Sequence, residues 1–270
     1  MKDLPDFGNV LETMRRQKPL IQCITNFVAM NTAANVVLAA GASPAMLHAQ
    51  EEAGEFAKLC GAVTINIGTL SPLWVQGMIA AVTSANAHNI PWVFDPVAHF
   101  ASTFRREAAQ TLLALNPTII RGNASEILTL AGFSARGKGA DSGDDAGSAH
   151  HAAQQLAQQH QCTVAVTGAY DLVTDGHSTL RVDGGSPLMP QVTALGCALT
   201  CLTGAFVASH KASALEATAA ALAMYAVAGE QAALQAQGPA SFQIHFIDAL
   251  YALTPAQFQS QAKVQFYETV

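Results

Sequence analysis

The chain has 270 residues, 50% hydrophobic and only 12% charged, with a formal net charge of −6. That length and apolar content support a substantial core, while the acidic balance excludes the basic surface that grips nucleic acid or an anionic membrane. A small solute is the expected partner, with no nucleic acid and no membrane.

In chain order, the first segment, MKDLPDFGNVLETMRRQKP, has an early Asp and no apolar stretch of the secretory kind, so a cytoplasmic protein is expected. The runs AVTINIG (62–68), PWVFDPV (91–97), PTIIRGN (117–123) and TVAVTG (163–168) are continuous apolar segments of the type buried on both faces of a parallel sheet. Between the first two, Ser71 and Pro72 open a predicted helix as cap and first-turn residue, and FRREAAQTLLALN supplies a second helix. The Gly-, Asp- and Ser-rich stretch 137–148 reads as a mobile surface loop, and His150 and His151 open a helix where solvent is their expected neighbour. DLVTDG and STLRV form a hairpin around Asp175 and Gly176, and the remainder reads as helical. Its longest apolar stretch, ATAAALAMYAVAG, is too short to span a bilayer. This alternation predicts an α/β fold: one domain over residues 1–270, with a central mostly parallel sheet flanked by helices and an antiparallel addition.

In such sheets ligands bind at the carboxyl ends of the strands. There the sequence places Gly68 and Thr69, then Asp95, then Arg121, Asn123 and Glu126, then Thr167 and Gly168. Carboxylates, a guanidinium, an amide and glycines together suit a magnesium nucleotide. Taken singly, each has an ordinary alternative: Asn123 and Glu126 form something close to a helix capping box, and Arg121 could be half of a surface ion pair. Five scattered cysteines give no disulfide framework, and four read as packed thiols. Cys197 stands at a helix entrance in QVTALGCALT, either as a thiol whose anion the helix N-terminus favours or as a small buried residue. Phosphate-loop, dinucleotide, zinc-protease and serine-hydrolase motifs are absent from the sequence.

In order, PLIQCITNFV, AAGASPAMLHAQEEA, INIGTL, FDPVA, IIRGNASEI, VTG, GCALT and GPASFQIHFIDAL resemble the hydroxyethylthiazole kinases, the thiamine-salvage branch of the ribokinase-like superfamily, over nearly the whole chain. The resemblance implies ATP-dependent phosphorylation of a thiazole alcohol, with Mg2+, in a homotrimer whose active sites lie between subunits. By position, Met46 would contact the thiazole, with Asn26 and Gly68 lining the same pocket and Ala194 and Gly196 on the substrate side. Arg121, Thr167, Gly168 and Asn123 would meet ATP, and Asp95 and Glu126 would serve magnesium. Cys197 stands where most of the superfamily has an aspartate base.

The chain departs from the family pattern at several positions. Ala194 and Leu195 replace the first two residues of a Gly-Thr-Gly-Cys or Gly-Ala-Gly-Cys run, Gln191 and Ala169 replace Lys and Glu, and Phe100 and Ala240 replace glycines. If position 194 needs positive φ, its Cβ costs about 1 to 2 kcal/mol, and Leu195 is expected to crowd the transferring phosphate. In the family the N–H groups of that run bind the transferring phosphate, so a run disturbed in that way would leave a ligand-binding protein with little turnover, and Phe100 would favour another small heterocyclic alcohol.

Overall fold

The computed structural model describes residues 4–133 and 143–267. Its strands are β1 (Leu20–Ile24), β2 (Ser43–Ala45), β3 (Ala62–Asn66), β4 (Trp92–Asp95), β5 (Ile119–Asn123), β6 (Thr163–Thr167), β7 (Asp171–Thr174), β8 (Thr179–Asp183) and β9 (Lys263–Phe266). They form one sheet in the order β2-β1-β3-β4-β5-β6-β7-β8-β9, parallel from β2 to β6 and antiparallel from there on. The four apolar runs are the central strands, with ends within two residues of those expected. All five residues of β3 are buried, as helices on both faces require.

On one face lie α1 (Phe7–Gln17), α2 (Met30–Ala40), α8 (Leu195–Ser209), α9 (Ala214–Ala233), α10 (Pro239–Ala252) and α11 (Pro255–Gln261). On the other lie α3 (Gln50–Ala57), α4 (Pro72–Ala87), α5 (Thr103–Leu113), α6 (Ala124–Leu130) and α7 (Gly143–His160). Ser71 caps α4 through the Trp74 N–H, and Ser102 caps α5 through the Arg105 N–H. The Asp175 carboxylate accepts the His177 and Ser178 N–H groups in the β7–β8 turn, as the hairpin pattern predicts. Among the described residues, no helix is long and apolar enough to cross a membrane.

Helix α1 docks late in the sequence. Phe7 packs on Phe258 of α11 at 6.0 Å between ring centroids, and the Gly8 N–H donates to the Gln259 side chain at 3.0 Å. Arg15 donates to the carbonyls of Ala40, Leu250 and Leu253, tying α1 to the ends of α2 and α10.

Three expectations need correction. Part of the stretch read as a loop, from Gly143 onward, is the start of α7, while 137–142 lies outside the described residues. Within that helix His150 is on the inner side: it is buried, bonded to Thr179 Oγ1 at 2.9 Å and edge-on to Tyr267. The segment after the hairpin is not wholly helical, since β9 pairs antiparallel with β8. Its short, largely exposed KVQF carries no apolar signal.

Candidate active site

Strands β1 and β3 are neighbours, but the chain leaves β1 for β2 on one side and β3 for β4 on the other. This reversal opens a crevice at their carboxyl ends, the usual ligand position in an open α/β sheet. Asn26 follows β1 into the crevice, Asn66 ends β3 and Asp95 ends β4, with Arg121 and Thr167 on the next two strands. The first turn of α8 brings Cys197 to the same edge.

A continuous line of hydrogen bonds joins these residues. Asn26 Nδ2 donates to Cys197 Sγ at 3.2 Å and to Asn66 Oδ1 at 2.8 Å. Asn66 Nδ2 donates to Asp95 Oδ2 at 2.8 Å, and the same oxygen accepts from Thr200 Oγ1 at 2.7 Å. Arg121 reaches Asp95 Oδ2 through Nη1 at 3.4 Å and Thr167 Oγ1 through Nη2 at 2.8 Å. Asp95 is fully buried and Arg121 nearly so, which makes this an interior ion pair rather than a surface one. Asp95 Oδ1 and Arg121 Nε are buried without a hydrogen-bond partner, an unfilled polar capacity that a bound phosphate group or ion would complete.

Burial dominates the electrostatics. It lifts the Asp95 carboxyl to about 6, against the pull of Arg121 and with a further push from Glu126. Burial acts to lower Arg121, but Asp95, Glu126, Cys197 and Asp171 outweigh it and hold the guanidinium above its ordinary value. Burial also pushes the Cys197 thiol up to about 11, Asp95 adding to the rise while Asn26, Arg121 and Asn66 oppose it. An anion is therefore not the resting form, because burial and the Asp95 charge outweigh the donors around the sulfur.

Ala194 caps α8 at φ 68 and ψ −1, the left-handed conformation that the family's glycine would suit. Leu195 does not crowd the site. It is 3% exposed, its side chain belongs to the apolar core, and its carbonyl accepts the Tyr225 hydroxyl at 2.7 Å. Gly196 is the approach point to the guanidinium, since an added Cβ would stand 3.3 Å from both Arg121 Nη atoms. Gly68 lies closer still to its neighbour: a Cβ there would fall 2.6 Å from Asn26 Nδ2.

Asn123 and Glu126 do form a capping box for α6, each side chain accepting the other's backbone N–H. The second Glu126 oxygen accepts the Ala98 N–H, tying the loop after β4 to β5. Gly168 donates to Asp171, whose carboxyl burial raises to about 6. Met46, just after β2, is half-buried against the core that contains α2 and α8. Phe100 is exposed and edge-on to His99, while Ala169, Gln191 and Ala240 are exposed. Among the described residues no group of three His, Cys, Asp or Glu side chains could hold a metal ion. Asp95 and Glu126 instead offer the one or two carboxylates that Mg2+ uses when phosphates and waters supply its other ligands.

Sequence reasoning missed Asn66, Thr200, Arg105 and Asp171. Arg105 donates to the carbonyls of Ile67, Gly68 and Val97 and so holds together the loops after β3 and β4. Asn66 and Thr200 lie inside INIGTL and GCALT, and position at a strand end or helix start was the only signal each gave.

Residues 11–256 match the model of the hydroxyethylthiazole kinase family. A relative from Rhizobium rhizogenes, named hydroxyethylthiazole kinase, is 62% identical over 257 residues, 95% of this chain and 96% of its own. One of the same name from Cereibacter sphaeroides is 58% identical over 258 residues, 96% of this chain and 98% of its own. The solved structure of the hydroxyethylthiazole kinase protein from Pyrococcus horikoshii superposes with a TM-score of 0.88 at 39% identity, covering 97% of this chain and 99% of that one. The pyridoxal kinase from Staphylococcus aureus, in complex with AMP-PCP and pyridoxal, gives a TM-score of 0.64 at 17% identity over 93% of this chain and 98% of that one, a likeness of ribokinase-like fold alone.

Proposed function

The chain belongs to the hydroxyethylthiazole kinase family, and from that premise we propose that it transfers the γ-phosphoryl group of ATP to the hydroxyl of 4-methyl-5-(2-hydroxyethyl)thiazole. The alcohol oxygen forms the new bond to phosphorus as the bond to the ADP oxygen breaks, and the hydroxyl proton is released. The observation that carries this reading is the hydrogen-bonded line running from Cys197 through Asn26, Asn66 and Asp95 to Arg121 and Thr167. In this reading its cation and hydroxyl serve the nucleotide and its thiol serves the alcohol.

The transition state of phosphoryl transfer is loose, so positioning and electrostatics supply most of the catalysis. Arg121, kept charged by Asp95, Glu126 and Asp171, binds the phosphates and balances charge on the transferring oxygens, with Thr167 and the Gly168 backbone beside it. Cys197 rests as a neutral thiol and orients the hydroxyl. The alcohol's proton departs late, so no strong base is required at the start. Backbone N–H groups of Leu195, Gly196 and Cys197 at the α8 N-terminus meet the developing negative charge. Met46, Asn26 and Gly68 line the thiazole side, and Asn123 shapes the nucleotide side through its helix cap. Mg2+ would be held by the nucleotide phosphates with Asp95 and Glu126, and would supply Lewis-acid neutralisation of phosphate charge.

The same reading makes the protein a homotrimer. Phe27 is 66%, Val28 59% and Leu73 73% exposed, next to Trp74, on which His48 stacks at 3.7 Å. A neighbouring copy covers this apolar rim, and sedimentation reads the assembly directly. A thiol at the centre of the chemistry also suits the reducing cytoplasm.

The test is incubation of the purified protein with ATP, Mg2+ and the thiazole alcohol, following phosphorylated product by mass against an enzyme-free control. Absence of product from folded protein at millimolar substrate refutes the assignment. Product from a different heterocyclic alcohol alone moves the substrate and keeps the reaction.

A further inference from the structure

Deepening that reading and resting on it, we propose that Asn66 is a positioning residue for phosphoryl transfer: its amide fixes the Asn26 amide against Cys197 and joins the thiol to the Asp95–Arg121 pair. Asn66 is 2% exposed and both ends of its amide are engaged. Nδ2 donates to Asp95 Oδ2 at 2.8 Å, and Oδ1 accepts from Asn26 Nδ2 at 2.8 Å and from the Gly68 N–H at 2.9 Å.

A flipped amide would set its NH2 against two donors and its oxygen against a carboxylate, so the orientation has one solution. Asn26 is fixed from its other end as well. Its Oδ1 accepts the Val28 and Ala29 N–H groups, both at 3.1 Å, which turns the Asn26 NH2 toward Asn66 and Cys197. That NH2 has two hydrogens and two acceptors, Asn66 Oδ1 and Cys197 Sγ. Remove the first, and the donor facing the sulfur is free to swing.

Charge gives this line its consequence. The charged and titratable groups acting on Cys197 are Asp95 from β4, which disfavours its anion, and Arg121 from β5, which favours it. Tyr225 on α9 also lies within electrostatic reach of the sulfur. Asn26 donates to the sulfur at 3.2 Å, and Asn66, which also favours the sulfur's anion, is the bridge between Asn26 and the carboxylate. An Asn66 that only finished β3 would affect folding stability and leave the behaviour of the thiol alone.

The experiment reads Cys197 directly and needs no substrate. The rate of alkylation by iodoacetamide is followed at the Cys197 peptide by mass at about pH 8 to 9.5, in the full-length wild type, Asn66→Leu, Asn66→Ala and Asn26→Ala. Asn66→Leu keeps much of the side-chain volume but offers neither the acceptor to Asn26 nor the donor to Asp95. The alkylation rate is expected to fall about tenfold in all three variants, as a hydrogen bond to a charged group is worth. In steady state with ATP and the thiazole alcohol, kcat is expected to fall about tenfold while KM for ATP changes less than about threefold.

A wild-type alkylation rate in both folded Asn66 variants overturns the proposal, as does a slowing confined to Asn26→Ala. Should Asn66→Ala fail to fold, the similarly sized Asn66→Leu decides. If no variant or wild type phosphorylates the alcohol, the thiol profiles still report on Asn66, so failure of the substrate assignment and failure of the positioning role are told apart.

Discussion

Ala194→Gly tests whether the anion-binding turn is strained or merely built with an unusual residue. Ala194 sits at φ 68 and ψ −1 at the head of α8. A left-handed residue with a Cβ costs about 1 to 2 kcal/mol, and glycine removes that term. The unfolded chain gains freedom in exchange, worth about 0.4 to 1 kcal/mol. The balance is a stabilisation of roughly 0.5 to 1 kcal/mol, or about 1 to 3 °C in Tm for a chain of this size. Turnover should change by less than about threefold, because the backbone already has the geometry that glycine would adopt and Leu195 is anchored by the core and by Tyr225. Differential scanning calorimetry at pH 7.5 gives the first quantity and steady-state kinetics the second. A fall in Tm would show that the position carries no strain. A tenfold or greater rise in kcat would show that alanine displaces the N–H donors, and the placement of the turn would be refuted.

Gly68→Ala should push the Asn26 amide away, because the new Cβ would fall 2.6 Å from Nδ2; KM for the alcohol rises and kcat falls by roughly tenfold, and unchanged kinetics in a folded variant would contradict the contact. Arg105→Met leaves the carbonyls of Ile67, Gly68 and Val97 without their shared donor, and denaturant titration should show a loss of about 2 to 3 kcal/mol. Asp171→Asn keeps the acceptor for the Gly168 N–H but removes a charge whose folded pKa, about 6, lies above the ordinary carboxylate range because the group is buried. A raised carboxyl pKa destabilises the folded state above that value and has no effect below the unfolded one. The variant should therefore melt higher than wild type at pH 8 and equally at pH 3.5, and an advantage that persists at low pH would mean another cause.

Much of this was legible because each central strand is a short apolar run whose first polar residue marks its end. Asp95, Arg121 and Thr167 could be assigned to one edge from that pattern alone, and the Ser71 cap and the Asp175 turn followed from local chemistry. The contacts that couple those residues were not legible. Asn26 meets Cys197 across 171 positions and Thr200 meets Asp95 across 105, and no local spacing encodes such a meeting. The state of Cys197 stayed open between favoured anion and buried thiol for a related reason: a helix terminus is visible in sequence, whereas desolvation depends on what packs around the sulfur. Glu126 and Asn123 show the converse, a pair whose spacing announced the cap that the structure contains.

Helix α1 is made before the elements that secure it. Its apolar face, Phe7, Val10, Leu11 and Met14, packs with α8, α9 and α11, and its bond to Gln259 spans 251 positions. At about 5 to 20 residues per second of synthesis, that partner emerges roughly ten to fifty seconds after the helix. Closing so long a loop also slows folding relative to local pairing. A nascent chain paused at Gln191 would hold every parallel strand, with Asp95 and Arg121 on them, yet its first helix would have none of those three partners. In the cell, the sticky stripe at the start of this chain is what a chaperone near the ribosome exit would meet, until the last helices arrive to cover it.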